Sequence, residues 1–365
     1  MLIGSLCVSA LLCACGGGGS SSSGSASTGV TPPPTPTYNG TITLEGTVSK
    51  GLFYGAEVGV FSSADTEAGS PEVLARAYTK KEHVAVCGYH GWQDWYIGST
   101  TRNLGVPECV RALTHTFTYN DLSSLERLFT EYPTQLAAVI MEPMNVAFPE
   151  AGFLEGVQAL CKKHGSVLIF DETITGFRFD LHGAQGLFNI TPDLATFGKG
   201  MANGFPISAI VGKREIMSLM EDIFFSGTFA GETMSLVATK TTLKKMQQKR
   251  VLTHIHTLGE KLICKLNKLI ENHDVKDWLS TAGHPSWSFI IIKDTQKYSS
   301  LELKSLFIQE MCTRGILIDG SHNLSYAHTH DDIEKLLNAY DEVIFILKNT
   351  IETQNLYDVF KGHLL

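Results

Sequence analysis

Charge is sparse in this sequence. Asp, Glu, Lys and Arg make up only 18% of the 365 residues, the formal balance is −8, and no tract of Lys or Arg stands out. A chain without a basic face has little to offer a phosphate backbone, which argues against nucleic acid as a partner. Cysteine is also thin for this length. The eight cysteines are scattered, and Cys87, Cys109, Cys161, Cys264 and Cys312 lack metal-ligand spacing. They read as mostly buried thiols, and no metal site is expected. Long apolar runs are missing too. Met1 to Ala14 is apolar but too short to span a bilayer, and no Lys or Arg precedes it.

That apolar start does not match the rest of the chain. Leu12-Cys13-Ala14-Cys15 is similar to a bacterial lipoprotein processing site, with Cys15 as the lipidated residue; the alternative is a disordered, uncleaved leader. Residues 16–37 are rich in Gly and Ser and end in Thr31-Pro32-Pro33-Pro34-Thr35-Pro36, a flexible tether followed by a stiffer spacer. Over 38–61 the character changes again. Thr41 to Val48 alternates at period two, and Ser49-Lys50-Gly51 can turn the chain before Leu52-Phe53-Tyr54, so a hairpin is expected.

From Leu74 onward, strand and helix patterns alternate. A helix to Thr79 leads to a strand over His83 to Cys87. A helix with Leu122, Leu125 and Leu128 inward precedes a strand at Ala137 to Met141. A helix over Phe153 to His164, closed by Gly165, precedes a strand at Val167. Ile207 to Val211 reads as the last strand of this series. Such alternation predicts an α/β fold around a mostly parallel, doubly wound sheet, and the length allows two domains. Further on, Glu232 to Asn272 reads as one long helical region with a break near Asn272. His254 and His256 on it read as solvated. A small α+β unit follows, with a strand at Ser288 to Ile292, a helix at Leu301 to Thr313, a strand at Gly315 to Ile318 and a closing helix at Asp331 to Lys348. The Gly320-Ser321-His322-Asn323 turn is expected to face the cleft; otherwise it is a plain tight turn.

One stretch organises the rest. Val167-Leu168-Ile169-Phe170 is an unbroken apolar run that fits a strand buried on both faces, and Asp171-Glu172 follows it directly. Acids at the carboxyl end of such a strand sit where open α/β sheets bind ligands. Twenty-eight residues after Asp171 comes Lys199, between Gly198 and Gly200. An aspartate and a lysine at neighbouring strand ends suit a cofactor with a nitrogen ring, the lysine as Schiff base and the acid on the ring nitrogen. Taken as two isolated residues, they would equally suit a surface salt bridge.

The surrounding words carry a resemblance. Val-Leu-Ile-Phe-Asp-Glu-Thr-Ile-Thr-Gly-Phe-Arg over 167–178, Ile-Thr-Pro-Asp-Leu-Ala-Thr-Phe-Gly-Lys-Gly over 190–200, Cys87-Gly88-Tyr89-His90-Gly91-Trp92 and Ser226-Gly227-Thr228-Phe229 together resemble the class III pyridoxal-phosphate aminotransferases. The branch they are most similar to is that of glutamate-1-semialdehyde 2,1-aminomutase. The resemblance runs from about Leu74 to Ile351. It implies a fold-type I transferase with pyridoxal 5'-phosphate on Lys199, Asp171 on the ring nitrogen, and Tyr89 laid over the ring. It implies Thr173 on the opposite ring face, where the family often has Val or Ile. His90 either supports the site or caps its turn, and Glu142, at a strand end, either orients a group through a network or forms a plain cap or ion pair. Thr228 is implied to cross a two-fold axis to the partner's phosphate in a homodimer.

Two departures stand beside these matches. The long segment that precedes the phosphate loop in the family is not recognisable. The loop itself reads Asp65-Thr66-Glu67-Ala68, with Asp65 in the glycine's place; Thr66 is the candidate phosphate ligand, or else a helix cap. The expected organisation is therefore a leader at 1–15, a tether at 16–37, a β segment at 38–61, a large cofactor-binding domain at 62–235 that is truncated at its start, and a linker helix with a small domain at 236–365. The expected function is pyridoxal-phosphate-dependent amino transfer between small molecules, as a transaminase or a 2,1-aminomutase. The alternative is an impaired or dead aminotransferase-like domain on a lipid-anchored surface protein. The family setting implies the cytoplasm, and Cys15 implies a membrane anchor.

Overall fold

The computed structural model describes residues 56–61, 71–224 and 232–362, the first of these for its backbone. The leader with Cys15, the tether, the hairpin over 41–54, Asp65, Thr66 and Thr228 lie outside the described residues.

Among the described residues seven strands form the main sheet: β1 (Ala56–Phe61), β2 (His83–Cys87), β3 (Thr114–Thr116), β4 (Leu136–Met141), β5 (Val167–Asp171), β6 (Leu194–Phe197) and β7 (Ser208–Lys213), in the spatial order β1-β7-β6-β5-β4-β2-β3. The pairs β3–β2, β2–β4, β4–β5 and β5–β6 are parallel. β7 runs antiparallel to β6, and β1 antiparallel to β7. The expected mostly parallel α/β sheet is present, with an antiparallel edge.

The alternation of side chains along the strands explains why helices cover both faces. Ala138, Ile140 and Ile169 point to one side and pack with Leu74 and Ala75 of α1 (Pro71–Thr79). Val139, Met141, Leu168 and Phe170 point to the other and pack with Leu125 and Phe129 of α2 (Leu122–Glu131) and Leu154, Val157 and Cys161 of α3 (Phe153–His164). Strands buried from both sides must be apolar throughout, and every residue of β4 is buried. Asp121 caps α2 by accepting from Ser124 N at 3.2 Å. Gly165 ends α3 in the left-handed region, φ 61°.

The chain then runs through α4 (Ala184–Phe188), α5 (Thr233–Gln248) and α6 (Val251–Asn272). The break in the long helical region falls at Lys249-Arg250, not near Asn272: Arg250 is left-handed with φ 49°. The second sheet is antiparallel, in the order β10-β9-β8, with β8 (Leu279–His284), β9 (Trp287–Ile292) and β10 (Ser321–His322). It packs with α6, α7 (Ser300–Thr313) and α8 (His330–Thr353) around Leu262, Leu266, Phe307 and Tyr340.

Several expectations need correction. No strand forms at Gly315 to Ile318; the third strand of the small sheet is Ser321–His322. His322 does not face a cleft. It is buried, with Nδ1 2.9 Å from Ser288 Oγ and Nε2 2.6 Å from Tyr340 Oη. His254 is half-buried and its Nε2 donates to His328 O at 2.9 Å, so it is not a solvated residue. Cys87 and Cys161 are buried, but Cys109, Cys264 and Cys312 are exposed, because each falls on the outer side of its helix. Among the described residues no helix is long and apolar enough to cross a membrane, and no group of three or more metal-ligand side chains occurs.

Candidate active site

The sheet register assembles the site. β5 lies between β4 and β6, and Asp171 pairs with Thr196. The carboxyl ends of β2, β4, β5 and β6 therefore present Tyr89 and His90, Glu142, Asp171 and Lys199 at one edge of the sheet.

Asp171 is held by donors on both oxygens. Oδ2 meets His90 Nδ1 at 2.9 Å; Oδ1 accepts from Thr173 N at 3.0 Å and Thr196 Oγ1 at 3.1 Å. Burial pushes this carboxyl up, but the His90 hydrogen bond and charge, with help from the Thr173 hydroxyl and amide, leave it below the usual range. Its side chain is 14% exposed, so one edge of the carboxylate remains reachable. His90 Nε2 sits 3.1 Å from Cys87 O, an obligate acceptor, so this nitrogen carries a proton. Nδ1 points at the Asp171 carboxylate, and the two contacts together fix the plane of the ring. His90 thus touches Asp171 and also closes its own turn.

Glu172, next in the chain, points the opposite way. It is 0% exposed. Oε2 accepts from Ala184 N at 2.8 Å and from the Thr175 hydroxyl, and Oε1 from Gln185 N at 2.8 Å. This acid nails the start of α4 under the site. Burial raises its pKa against those hydrogen bonds.

Tyr89 is set by a backbone that only glycine tolerates. Gly88 has φ 104°, and a Cβ there would lie 2.6 Å from Glu142 Oε2. Glu142 accepts from Tyr89 N at 3.1 Å and from Asn145 Nδ2 at 2.9 Å, so the acid clamps the loop that carries Tyr89. Burial raises its pKa, with Asn145 and Tyr89 N opposing. Tyr96 donates to Gly88 O at 2.8 Å and meets the Tyr89 ring edge-on at 5.7 Å. Tyr89 is 58% exposed, so its side chain remains open to a ligand.

Lys199 opens a single 3₁₀ turn, Lys199–Met201, with φ 39°. A positive φ at a lysine is strained backbone, of a kind that collects at functional positions. The side chain is exposed, and among the described residues its amine has no acceptor. A Cβ added at Gly198 would sit 3.4 Å from Thr173 Cγ2, so Thr173 lies against the backbone leading to Lys199. Its backbone N–H donates to Asp171 Oδ1. An ionised aspartate, an unpaired amine and an exposed ring converging at strand ends fit a flat cationic heterocycle with an aldehyde. Arg102 is exposed in its loop, and only its backbone N–H, donating to Thr100 Oγ1 at 3.1 Å, is engaged.

Sequence reasoning missed three supports. Thr196 reaches Asp171, and the available signal was a lone polar residue between the apolar Ala195 and Phe197. Glu172 was legible only as an acid beside another. Arg178 bridges the two sheets, donating from Nη1 to Ser286 O and Leu324 O at 3.1 Å each. Nothing local announces that contact, because its partners are backbone atoms more than a hundred residues away.

The fold and this acid–lysine edge define a cofactor-dependent α/β transferase. Residues 78–337 match the aminotransferase class-III family, and the chain belongs to that family. Among curated relatives it is 36% identical over 302 residues to glutamate-1-semialdehyde 2,1-aminomutase 2 of Lachnoclostridium phytofermentans, covering 74% of this chain and 70% of that one. It is 32% identical over 287 residues to 3-aminobutyryl-CoA aminotransferase of Cloacimonas acidaminovorans, covering 76% and 68%. Among solved structures, the PLP form of the FumI protein of Sphingopyxis sp. MTA144 superposes with TM-score 0.73 at 25% identity, over 84% of this chain and 73% of that one. An omega-transaminase from Sphaerobacter thermophilus gives 0.71 at 24% identity, over 80% and 74%. The chain is a pyridoxal-phosphate-dependent class III enzyme of amino-group transfer, acting on small molecules.

Proposed function

We propose that Lys199 carries the cofactor and that Asp171, Tyr89 and Thr173 hold its ring while an amino group moves between carbon atoms. The observation that carries this reading is the Asp171 carboxylate, kept ionised by His90 at the end of β5 beside an unpaired Lys199. Pyridoxal phosphate, when bound, supplies the electron sink. Asp171 holds a proton at the ring nitrogen, and His90, Thr173 and Thr196 fix the angle of that carboxylate. Tyr89 covers one ring face. The Lys199 amine, which would hold the group as a Schiff base, is also the base that would take the proton from the amine-bearing substrate carbon and give it back later in the transfer. Glu142 acts through the loop it clamps, and Thr66 and Thr228 are the proposed phosphate ligands.

Relatives named for transamination and for an intramolecular amino shift both resemble this chain, so the outcome is decided by following nitrogen. With a ¹⁵N-labelled amino donor and an unlabelled oxo acid, label in the oxo acid's product supports a transaminase. Label retained in the donor's own skeleton at the neighbouring carbon supports an aminomutase. No turnover with either, in protein that binds the cofactor, favours the dead-scaffold alternative.

The same reading includes a homodimer, supported by exposed apolar side chains on the large-sheet half: Trp92 is 62% and Phe224 87% exposed. Sedimentation as a monomer with full cofactor occupancy would defeat it. It also includes attachment to a membrane through Cys15, tested by whether Cys15→Ser moves the chain to the soluble fraction; an unprocessed soluble chain would place it in the cytoplasm.

A further inference from the structure

A pocket of about 320 Å³ opens where α5 breaks into α6, away in sequence from Asp171 and Lys199. Lys249, Arg250, Thr253, His254, Tyr326 and His330 line it. The chain as a whole carries a formal charge of −8, yet no carboxylate is among the lining residues. A local excess of positive charge on an acidic protein needs a reason.

The groups converge from three segments. Arg250 immediately precedes α6 and Thr253 lies in its first turn, and both line the pocket. Arg250 holds φ 49°, a conformation in which glycine would be less strained, and no side chain caps the helix that follows. Lys245 Nζ lies 5.4 Å above the Tyr326 ring, and His254 meets the same ring edge-on at 5.1 Å. That ring is a fixed wall. Lys261 Nζ stands 3.5 Å from His330 Nδ1. An ammonium can only donate, so Nδ1 is the acceptor in this contact and Nε2 is the ring nitrogen left to donate. Among the described residues the end groups of Lys249 and Arg250 have no acidic partner. The inventory is cationic donors, a hydroxyl and an aromatic wall.

We propose that this pocket binds an anion of the phosphate class, free phosphate or a small phosphate monoester. Arg250 supplies a planar fork for two oxygens, and Lys249 a point charge. His330 Nε2 and the Thr253 hydroxyl add further donors. The volume exceeds what one phosphate fills, and the space beside Tyr326 suits a small organic group on a monoester.

The test uses the full chain and is independent of the cofactor reading. Inorganic phosphate is titrated by calorimetry at constant ionic strength set with chloride, against wild type and Lys249→Gln/Arg250→Gly. Glycine accepts the left-handed position, so the variant keeps its fold, which circular dichroism checks. The expected result is a saturable site in wild type that weakens about tenfold or more in the variant, the loss of one or more charge-assisted bonds. Glycerol 3-phosphate in a parallel titration separates the sources: tighter binding than phosphate marks a monoester site, equal binding a free-phosphate site. Borohydride labelling at Lys199 with pyridoxal phosphate should be the same in both proteins, so failure here leaves that site's reading intact. Equal phosphate affinity in wild type and variant, or no saturable binding above the chloride background, would overturn the proposal.

Discussion

Glu172→Gln separates the two adjacent acids at the end of β5. Glu172 is fully buried, and its two oxygens take three donors: Ala184 N, Gln185 N and the Thr175 hydroxyl. Glutamine offers one acceptor oxygen. In its better orientation that oxygen serves Ala184 N and Thr175, and the amide NH₂ then faces Gln185 N–H, donor against donor. A buried N–H left unsatisfied costs about 1–3 kcal/mol, and the remaining bonds lose their charge assistance. The sum is about 3 kcal/mol, localised at the start of α4. The suitable assay is hydrogen exchange read by mass spectrometry on the peptide spanning 183–188, because a chain with two sheets need not unfold in one step. Protection there should fall about a hundredfold, each factor of ten being about 1.4 kcal/mol, while β8 and β9 keep theirs. Unchanged protection at Ala184 and Gln185 would refute the anchoring role and leave Glu172 without one.

Three further outcomes follow from the geometry. Gly88→Ala should destabilise by about 2–3 kcal/mol, through a strained φ and a Cβ 2.6 Å from Glu142 Oε2, and a denaturation midpoint equal to wild type would contradict this. Burial pushes His322 down to about 4, so between pH 6.5 and 4 the unfolded chain binds a proton that the folded chain refuses. Stability should therefore fall as pH drops through that window, by about 3 kcal/mol for this residue, and His322→Asn should flatten the urea-midpoint profile by that amount; an unaltered slope would exclude it. Arg178→Ala should lose about 2–3 kcal/mol by removing the hydrogen bonds to Ser286 O and Leu324 O, and should speed proteolysis between the two sheets, whereas wild-type cleavage rates would mean that the bridge holds nothing.

Much of the large-sheet half was legible because its signals are local. Val167 to Phe170 and Ala137 to Met141 are apolar on both faces, and strands of that kind have few alternatives to a covered parallel sheet. Helix α3 was bounded by its periodicity and by Gly165. Asp171, Lys199 and Tyr89 stood out because motif and strand end coincide. The small-sheet half was harder. β8 contains Gly283 and few large apolar residues, so Leu279 to His284 does not read as a strand on its own; it forms by pairing with β9. Gly315 to Ile318 has strand composition but no neighbour to pair with. The break at Arg250 escaped notice because arginine is rarely left-handed and nothing nearby punctuates the helix. Thr196, Glu172 and Arg178 owe their roles to contacts across the fold.

The central claim is that Lys199 holds the cofactor opposite Asp171, and peptide mapping after borohydride treatment tests it most directly. The purified chain is mixed with pyridoxal phosphate, reduced and digested. The expected result is a single phosphopyridoxyl mark on the peptide containing Lys199, absent in Lys199→Ala, and present in Asp171→Asn although that variant no longer transfers the substrate proton. A mark at another lysine with Lys199 unmodified would contradict the account.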